Sequence, residues 1–258
     1  MEYETILYDL SDAIATVTLN RPDVMNGLTS QMRAEILHAV KRAEAEARVL
    51  VLTGTGRGFC SGQDLGDARN VDEIDLESTL RDEYEPMIRA IYDARIPTIA
   101  AVNGIAAGAG ANLALSADVV IAAESASFMQ VFSRIGLIPD AGGTYWLPRQ
   151  IGFARAMGAA LFAEPVPAAK AAEWGMIWEA VPDASFAAVV RTRAQHLANG
   201  PTEGYRLIKE ALRSSVDQTL DEQLETEAHL QGKAGRTSDF REGVMAFLEK
   251  RKAQFEGR

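Results

Sequence analysis

The stretch from Ile99 to Ala122, IAAVNGIAAGAGANLALSADVVIA, decides the architecture. Ile99-Ala100-Ala101-Val102 is a short apolar run and reads as a buried strand. Gly104 to Gly110 is a small-residue turn leading into a helix that carries Leu113 and Leu115. Val119-Val120-Ile121-Ala122 is a further buried strand. The same alternation appears upstream. Val49-Leu50-Val51-Leu52 ends at Gly54-Thr55-Gly56, a glycine-bearing loop GRGFCSGQDL follows, and a charged helix is expected from about Val71 to Ala94. Strands alternating with helices predict an α/β fold with mostly parallel pairing. Nearer the start, Glu4 to Leu10 and Ala13 to Asn20 read as a hairpin around Ser11-Asp12. Thr29 caps a helical pattern of Met32, Ile36, Leu37 and Val40. Beyond Pro148 the pattern is helical, apart from a short run near Ile177 to Val181. Phe240, Val244, Phe247 and Leu248 share one face of the last helix, a stripe suited to core or subunit contact.

The 258 residues are 47% hydrophobic and 24% charged, the balance of an ordinary globular protein. Cys60 is the only cysteine, so no intramolecular disulfide forms, and a reducing compartment is expected. The opening MEYETILYDL has no basic region and no apolar segment of a signal peptide. Ile96 to Ala123 is interrupted by Asn103, Asn112 and Asp118, which argues against a membrane span. A cytoplasmic protein with no membrane partner is therefore expected. Net charge is −10, which opposes general nucleic-acid binding. The acidic chain nevertheless ends in a basic tail with Lys233, Arg236, Arg241, Lys250, Arg251, Lys252 and Arg258.

The usual catalytic signatures are missing. His38, His196 and His229 are scattered on helical patterns, no metal-ligand spacing occurs, and no nucleophile elbow or dinucleotide fingerprint is complete. Two glycine-bearing turns after buried strands remain, Gly58–Leu65 and Asn103–Ala111. Free main-chain N–H groups in such turns attract negative charge, and two turns face to face would make an oxyanion hole. Close helix–strand packing explains either turn alone equally well. A third segment, GLIPDAGGT, places Asp140 between a proline and a Gly-Gly pair. The residues themselves leave two readings open there, a helix cap and a carboxylate delivered into a cleft.

These segments, with FSRIGLIPDAGGTYWLPRQIG and REGVMAFLEKRKAQF, resemble the crotonase superfamily, the enoyl-CoA hydratase/isomerase group, over nearly the whole chain. GFCSGQDL, GLIPDAGGT and EWGMIW look most like its isomerases of ring-epoxide CoA thioesters. The resemblance implies a ClpP-like spiral of ββα units over residues 1–195, with a helical trimerisation segment over 196–258. It implies a homotrimer or a dimer of trimers, an acyl-CoA substrate and no separate cofactor or metal. It puts an oxyanion hole on the main-chain N–H groups of Gln63 and Ala109, so the Gln63 side chain is expected to matter little. The positions of the two hydratase glutamates fall on Asn112 and Phe132, both expected in the substrate pocket, and neither takes a proton. The isomerase carboxylate falls on Asp140. Coenzyme A contacts fall on Val24, Met25, Gly27, Ser61, Asp64 and Leu65, with Phe247 and Lys250 supplied by a neighbouring subunit. The function implied is an acyl-CoA isomerase that opens a ring epoxide to an oxepin or shifts a 3-enoyl double bond to C2. A straight-chain hydratase/isomerase and a non-catalytic CoA- or RNA-binding relative are the alternatives.

Overall fold

The computed structural model describes residues 2–64, 66 and 75–258. Strands β1 (Ile6–Ser11) and β2 (Ile14–Leu19) pair antiparallel as the expected hairpin. Its two turn residues, Asp12 and Ala13, both have positive φ, which matches the twist of the flanking strands. Helix α1 (Ser30–Glu46) starts where Thr29 accepts a hydrogen bond from the Met32 N–H. Its Met32, Ile36, Ala39 and Val40 face is buried.

From there the chain repeats a unit of long strand, short strand and helix. β3 (Val49–Gly54) is followed by β4 (Gly58–Cys60). β5 (Thr98–Val102) is followed by β6 (Ile105–Ala107) and α4 (Ala109–Leu115). β7 (Val119–Ala123) is followed by β8 (Ser127–Met129). The long strands, with β10 (Glu179–Val181), build a six-stranded sheet ordered β1-β2-β3-β5-β7-β10 and parallel from β2 onward. The short strands, with β9 (Val166–Pro167), form a second sheet ordered β4-β6-β8-β9. This is the spiral of ββα units. Both faces of the sheet are buried at β3, β5 and β7, which explains why these strands are continuous apolar runs, whereas β1 at the edge is largely exposed. Leu50 and Leu52 face the main core, while Val49 and Val51 pack with Val190, Ala194 and Ala198 of α8 (Asp183–Ala198).

The structure departs from the sequence reading in places. Gly104–Gly110 is not a plain turn, because it contains β6. Three residues are too few to show a strand period, and only the pairing with β4 and β8 makes it one. The charged helix expected from Val71 to Ala94 is broken into α2 (Leu76–Thr79), a π-helical turn (Leu80–Tyr84) and α3 (Glu85–Tyr92), and residues 71–74 lie outside the described ones. Helices α5 (Gly143–Ile151), α6 (Phe153–Phe162) and α7 (Ala168–Glu173) precede α8. The boundary drawn at residue 195 falls inside α8, whose buried Val190, Ala194 and Ala198 continue one face past it. The helical segment then comprises α9 (Thr202–Ser214), α10 (Leu220–Ala234) and α11 (Ser238–Glu249). No helix among the described residues is long and apolar enough to cross a membrane.

Candidate active site

Successive units step one place along the short sheet, so the loops leaving β4, β6 and β8 come to lie side by side. The first two touch closely. Gly62 has φ +92°, and a Cβ there would stand 2.8 Å from the Ala107 carbonyl oxygen and 3.3 Å from the Ala109 nitrogen. Only glycine combines that backbone with that approach. Gly108 donates to the Met129 carbonyl, and its own carbonyl accepts from Ala111 and Asn112. The main-chain N–H groups of Gln63 and Ala109 have no hydrogen-bond partner among the described residues. For Ala109 this follows from its place at the start of a helix, where the N–H has no carbonyl one turn back. Both residues line a cleft of about 300 Å³ with Ser61, Asp64, Tyr84, Phe132 and Asp140.

The loop after β8 brings Asp140 to that cleft. It is not a helix cap: the N-cap of α5 is Gly142, and no side chain caps it. Instead Ala141 and Gly142, with φ 48° and 85°, turn the chain sharply after Asp140. The Asp140 main-chain carbonyl accepts from the Gly143 N–H at 2.8 Å and from Asn112 Nδ2 at 2.8 Å. A Cβ on Gly143 would stand 2.4 Å from Asn112 Nδ2, so this residue must be glycine for the amide to reach. With its backbone held, Asp140 keeps a buried Oδ1 that has no hydrogen-bond partner among the described residues. Burial pushes its carboxyl up to about 6, while its own main-chain N–H pulls the other way.

Asp140 also lines a second, larger cavity of about 640 Å³. Leu80, Ile88 and Leu137 line it together with a cluster of Tyr92, Tyr145 and Trp146. The Trp146 ring lies 5.1 Å from Tyr92 and 4.8 Å edge-on from Tyr145, centroid to centroid. Leu80, Tyr84, Leu137 and Asp140 line both cavities, and the charged Arg81, Glu85 and Arg89 also border the larger chamber.

Phe132 is buried and lines the cleft, as its position implied. Asn112 does not. It was expected in the substrate pocket, but its side chain is fully buried behind the Asp140 turn. Its amide is committed to the Asp140 carbonyl and to a reciprocal pair with Gln130, at 3.3 and 2.9 Å. An amide whose donor hydrogens are both used and whose oxygen is buried against Gln130 supports backbone and is closed to a ligand.

The expected coenzyme A contacts divide into two groups. Val24, Met25, Gly27, Ser61 and Asp64 come together at the cleft mouth. Ser61 Oγ donates to the Val24 carbonyl at 3.2 Å, the Ser61 N–H donates to the Met25 carbonyl at 3.0 Å, and a Cβ on Gly27 would lie 3.3 Å from Asp64 Cβ. Leu65 lies outside the described residues. Phe247 and Lys250 are elsewhere: Phe247, 82% exposed, edges a separate apolar cavity with Val244 and Leu248, and Lys250 ends α11 in a left-handed conformation. Asp64 pairs with Arg21 at 2.8 Å, and that hydrogen bond holds its carboxyl below the usual range. None of the three histidines lines the cleft or the chamber.

Three residues of the site escaped the sequence reading: Arg21, Arg33 and Tyr84. Arg33 had a signal. It falls at helical spacing with Ile36 and Val40, so a charge sits within a stripe that must be buried. It is 3% exposed and donates to Gln63 Oε1 at 2.8 Å.

Comparison with known proteins accords with this geometry. Residues 9–258 match the family model described as Enoyl-CoA hydratase/isomerase. A protein of Rhodobacter capsulatus named "Probable enoyl-CoA hydratase" is 58% identical, with the whole of both chains covered. The 1,2-epoxyphenylacetyl-CoA isomerase of Escherichia coli K12 is 49% identical over 99% of each chain. Among solved structures, an enoyl-CoA hydratase from Bacillus anthracis superposes with a TM-score of 0.91 at 31% identity, covering 99% of this chain and all of the other. With its spiral of ββα units and adjoining loops, the chain belongs to the enoyl-CoA hydratase/isomerase, or crotonase, family.

Proposed function

We propose that the protein is an acyl-CoA isomerase in which Asp140 carries the proton. One observation bears the reading: a half-buried carboxyl, pushed up to about 6 and with one buried oxygen that has no partner among the described residues, stands in the same cleft as two main-chain N–H groups that have none either. The thioester oxygen sits between the N–H groups of Gln63 and Ala109. They favour the enolate over the neutral thioester, because charge develops on that oxygen only as the C–H proton leaves. Asp140 takes the proton from the carbon next to the carbonyl and returns it further along the acyl group. With a 3-enoyl thioester, the proton leaves C2 and returns at C4, and the double bond moves from C3 to C2. With an aryl epoxide, proton movement accompanies ring opening toward an oxepin. The 49% identity to an enzyme named for 1,2-epoxyphenylacetyl-CoA supports the ring epoxide as substrate.

A second reading, straight-chain isomerisation, rests on the chamber. A cavity of about 640 Å³ is in the range that holds drug-sized ligands, roughly 300–1,000 Å³, and exceeds the needs of one aromatic ring. Hydration is less well supported. Among the described residues, the carboxylates lining the cleft are Asp64 and Asp140, and Asp64 is tied to Arg21. Val24, Met25, Gly27, Ser61 and Asp64 suit a pantetheine and nucleotide path, with Phe247 and Lys250 contributed across a trimer interface. Parallel incubation with the ring-epoxide CoA ester and a 3-enoyl-CoA tests the reading. Asp140→Asn is expected to abolish turnover of whichever is converted, and near-normal isomerisation by this variant would overturn the mechanism.

A further inference from the structure

We infer, against the expectation that the Gln63 side chain matters little, that this side chain and Tyr84, bracketed by Arg33, are positioning residues for the Gln63 main-chain donor. This rests on the isomerase reading above. The Gln63 peptide lies on a loop that is hydrogen-bonded on either side of it to one residue, Leu28. The Leu28 N–H donates to the Gly62 carbonyl at 2.8 Å, and the Leu28 carbonyl accepts from the Asp64 N–H at 3.1 Å. The Gln63 N–H between them has no partner among the described residues. The loop therefore has its ends held, and the orientation of the central peptide depends on what holds the Gln63 side chain.

Two buried donors converge on that side chain. Gln63 Oε1 accepts from Arg33 Nη1 at 2.8 Å and from the Tyr84 hydroxyl at 2.5 Å. The same Arg33 nitrogen reaches the Leu28 carbonyl at 3.0 Å, so one guanidinium braces both the loop and its support. The rest of that guanidinium is occupied by Glu83, at 2.9 and 2.6 Å, and lies 4.6 Å over the Tyr84 ring. Glu83 and Tyr84 end the π-helical turn, whose Leu80 and Tyr84 line the acyl chamber. The chamber wall and the donor loop, twenty-one residues apart in sequence, are thereby joined through one oxygen atom. Occupants of the chamber that press on the π-helical turn act on the donor directly. Plain stapling of α1 to that turn would require only the Arg33–Glu83 pair. It does not account for Gln63 Oε1 as the meeting point of two buried donors.

The test compares the wild-type protein, Tyr84→Phe, Gln63→Met, their double variant and Asp140→Asn on the ring-epoxide CoA ester and on a 3-enoyl-CoA, reading kcat on whichever is converted, with melting temperature measured for each. Tyr84→Phe removes one oxygen, and Gln63 is exposed at the cleft, so neither change opens a core. A donor displaced by a fraction of an ångström predicts a kcat loss of about tenfold in each single variant, part of the hundredfold that about 1 Å of misplacement can cost. KM should stay within about twofold, and the acid limb of the rate should be unmoved, because Asp140 is untouched. The double variant should be no slower than Gln63→Met alone, since that change already removes the Tyr84 hydrogen bond together with the Arg33 one. Losses that multiply, an effect on KM alone, or unchanged kcat with a lowered melting temperature would overturn the inference. An inactive Asp140→Asn beside an unimpaired Tyr84→Phe sinks this inference alone. Wild-type protein inert toward both substrates, or an active Asp140→Asn, sinks the isomerase reading and this inference with it.

Discussion

Asp64 and Asp140 line the same cleft and are held in opposite states. Asp64 sits on the loop after β4, accepts from Arg21 at 2.8 Å and from the Gly66 N–H at 3.0 Å, and is held below the usual carboxylate range. Asp140 sits on the loop after β8, has a buried oxygen with no partner among the described residues, and is pushed up to about 6. A charge partner fixes one carboxylate as an anion and spends its lone pairs. Burial without a partner leaves the other able to exchange a proton near neutral pH. Residue type does not separate a structural acid from a working one; the neighbours do.

The largest expected effect breaks the comparison outright. Asp140→Asn should lower kcat on the accepted substrate by about 10²–10⁴-fold, the usual contribution of a positioned acid/base. Asp64→Asn should leave kcat within about threefold and act mainly on KM, because Asp64 is tied to Arg21 at the cleft mouth and this half-buried pair is worth about 1 kcal/mol. Equal losses in the two variants would erase the distinction.

The pH profile sharpens it. Asp140 must be ionised to take the proton, so kcat/KM should fall about tenfold per unit below a pH of about 6. A profile flat down to pH 4.5 would mean that another group carries the proton.

Stability should move the other way from activity. An acid raised in the folded state costs stability once it ionises, beginning above its unfolded value near 3.8 and complete above about 6. At pH 8 Asp140→Asn should therefore be more stable than wild type, by about 3 kcal/mol for a shift of roughly two units. At pH 4 the two should match. Denaturant titrations at both values check this, and a variant that is less stable at pH 8 would contradict the burial argument. The smallest effect belongs to Asp64. Its lowered value means its contribution is present above the normal carboxylate range and is lost as pH falls through the folded value. Asp64→Asn should show a correspondingly weaker acid dependence of stability, by less than about 1 kcal/mol.

How much was legible follows from the range of each signal. The hairpin, the Thr29 cap and the four-residue apolar runs within β3, β5 and β7 were readable because caps and strand runs are encoded within a few residues. β6 was not, since three residues carry no period. At the site, Gly62 and Gly108 were visible as glycines, but not what they approach. Asn112 shows the limit most clearly. By position it belonged to the pocket, yet its amide is turned under Gly143 to hold the Asp140 carbonyl. Phe247 and Lys250 were placed by resemblance alone, and within one chain they are remote from the cleft.

The sequence by itself determined the α/β class, the family and the three loops that matter, because each is written in local composition and order. For Asp140 it left a cap and a base as open choices. Tertiary structure decided between them. The step of one strand per unit laid the loops after β4, β6 and β8 together, Asn112 and Gly143 held the turn, and burial withheld any partner from one carboxylate oxygen. A carboxylate's proton affinity is set by what surrounds it in space, and those neighbours come from segments far apart in the chain.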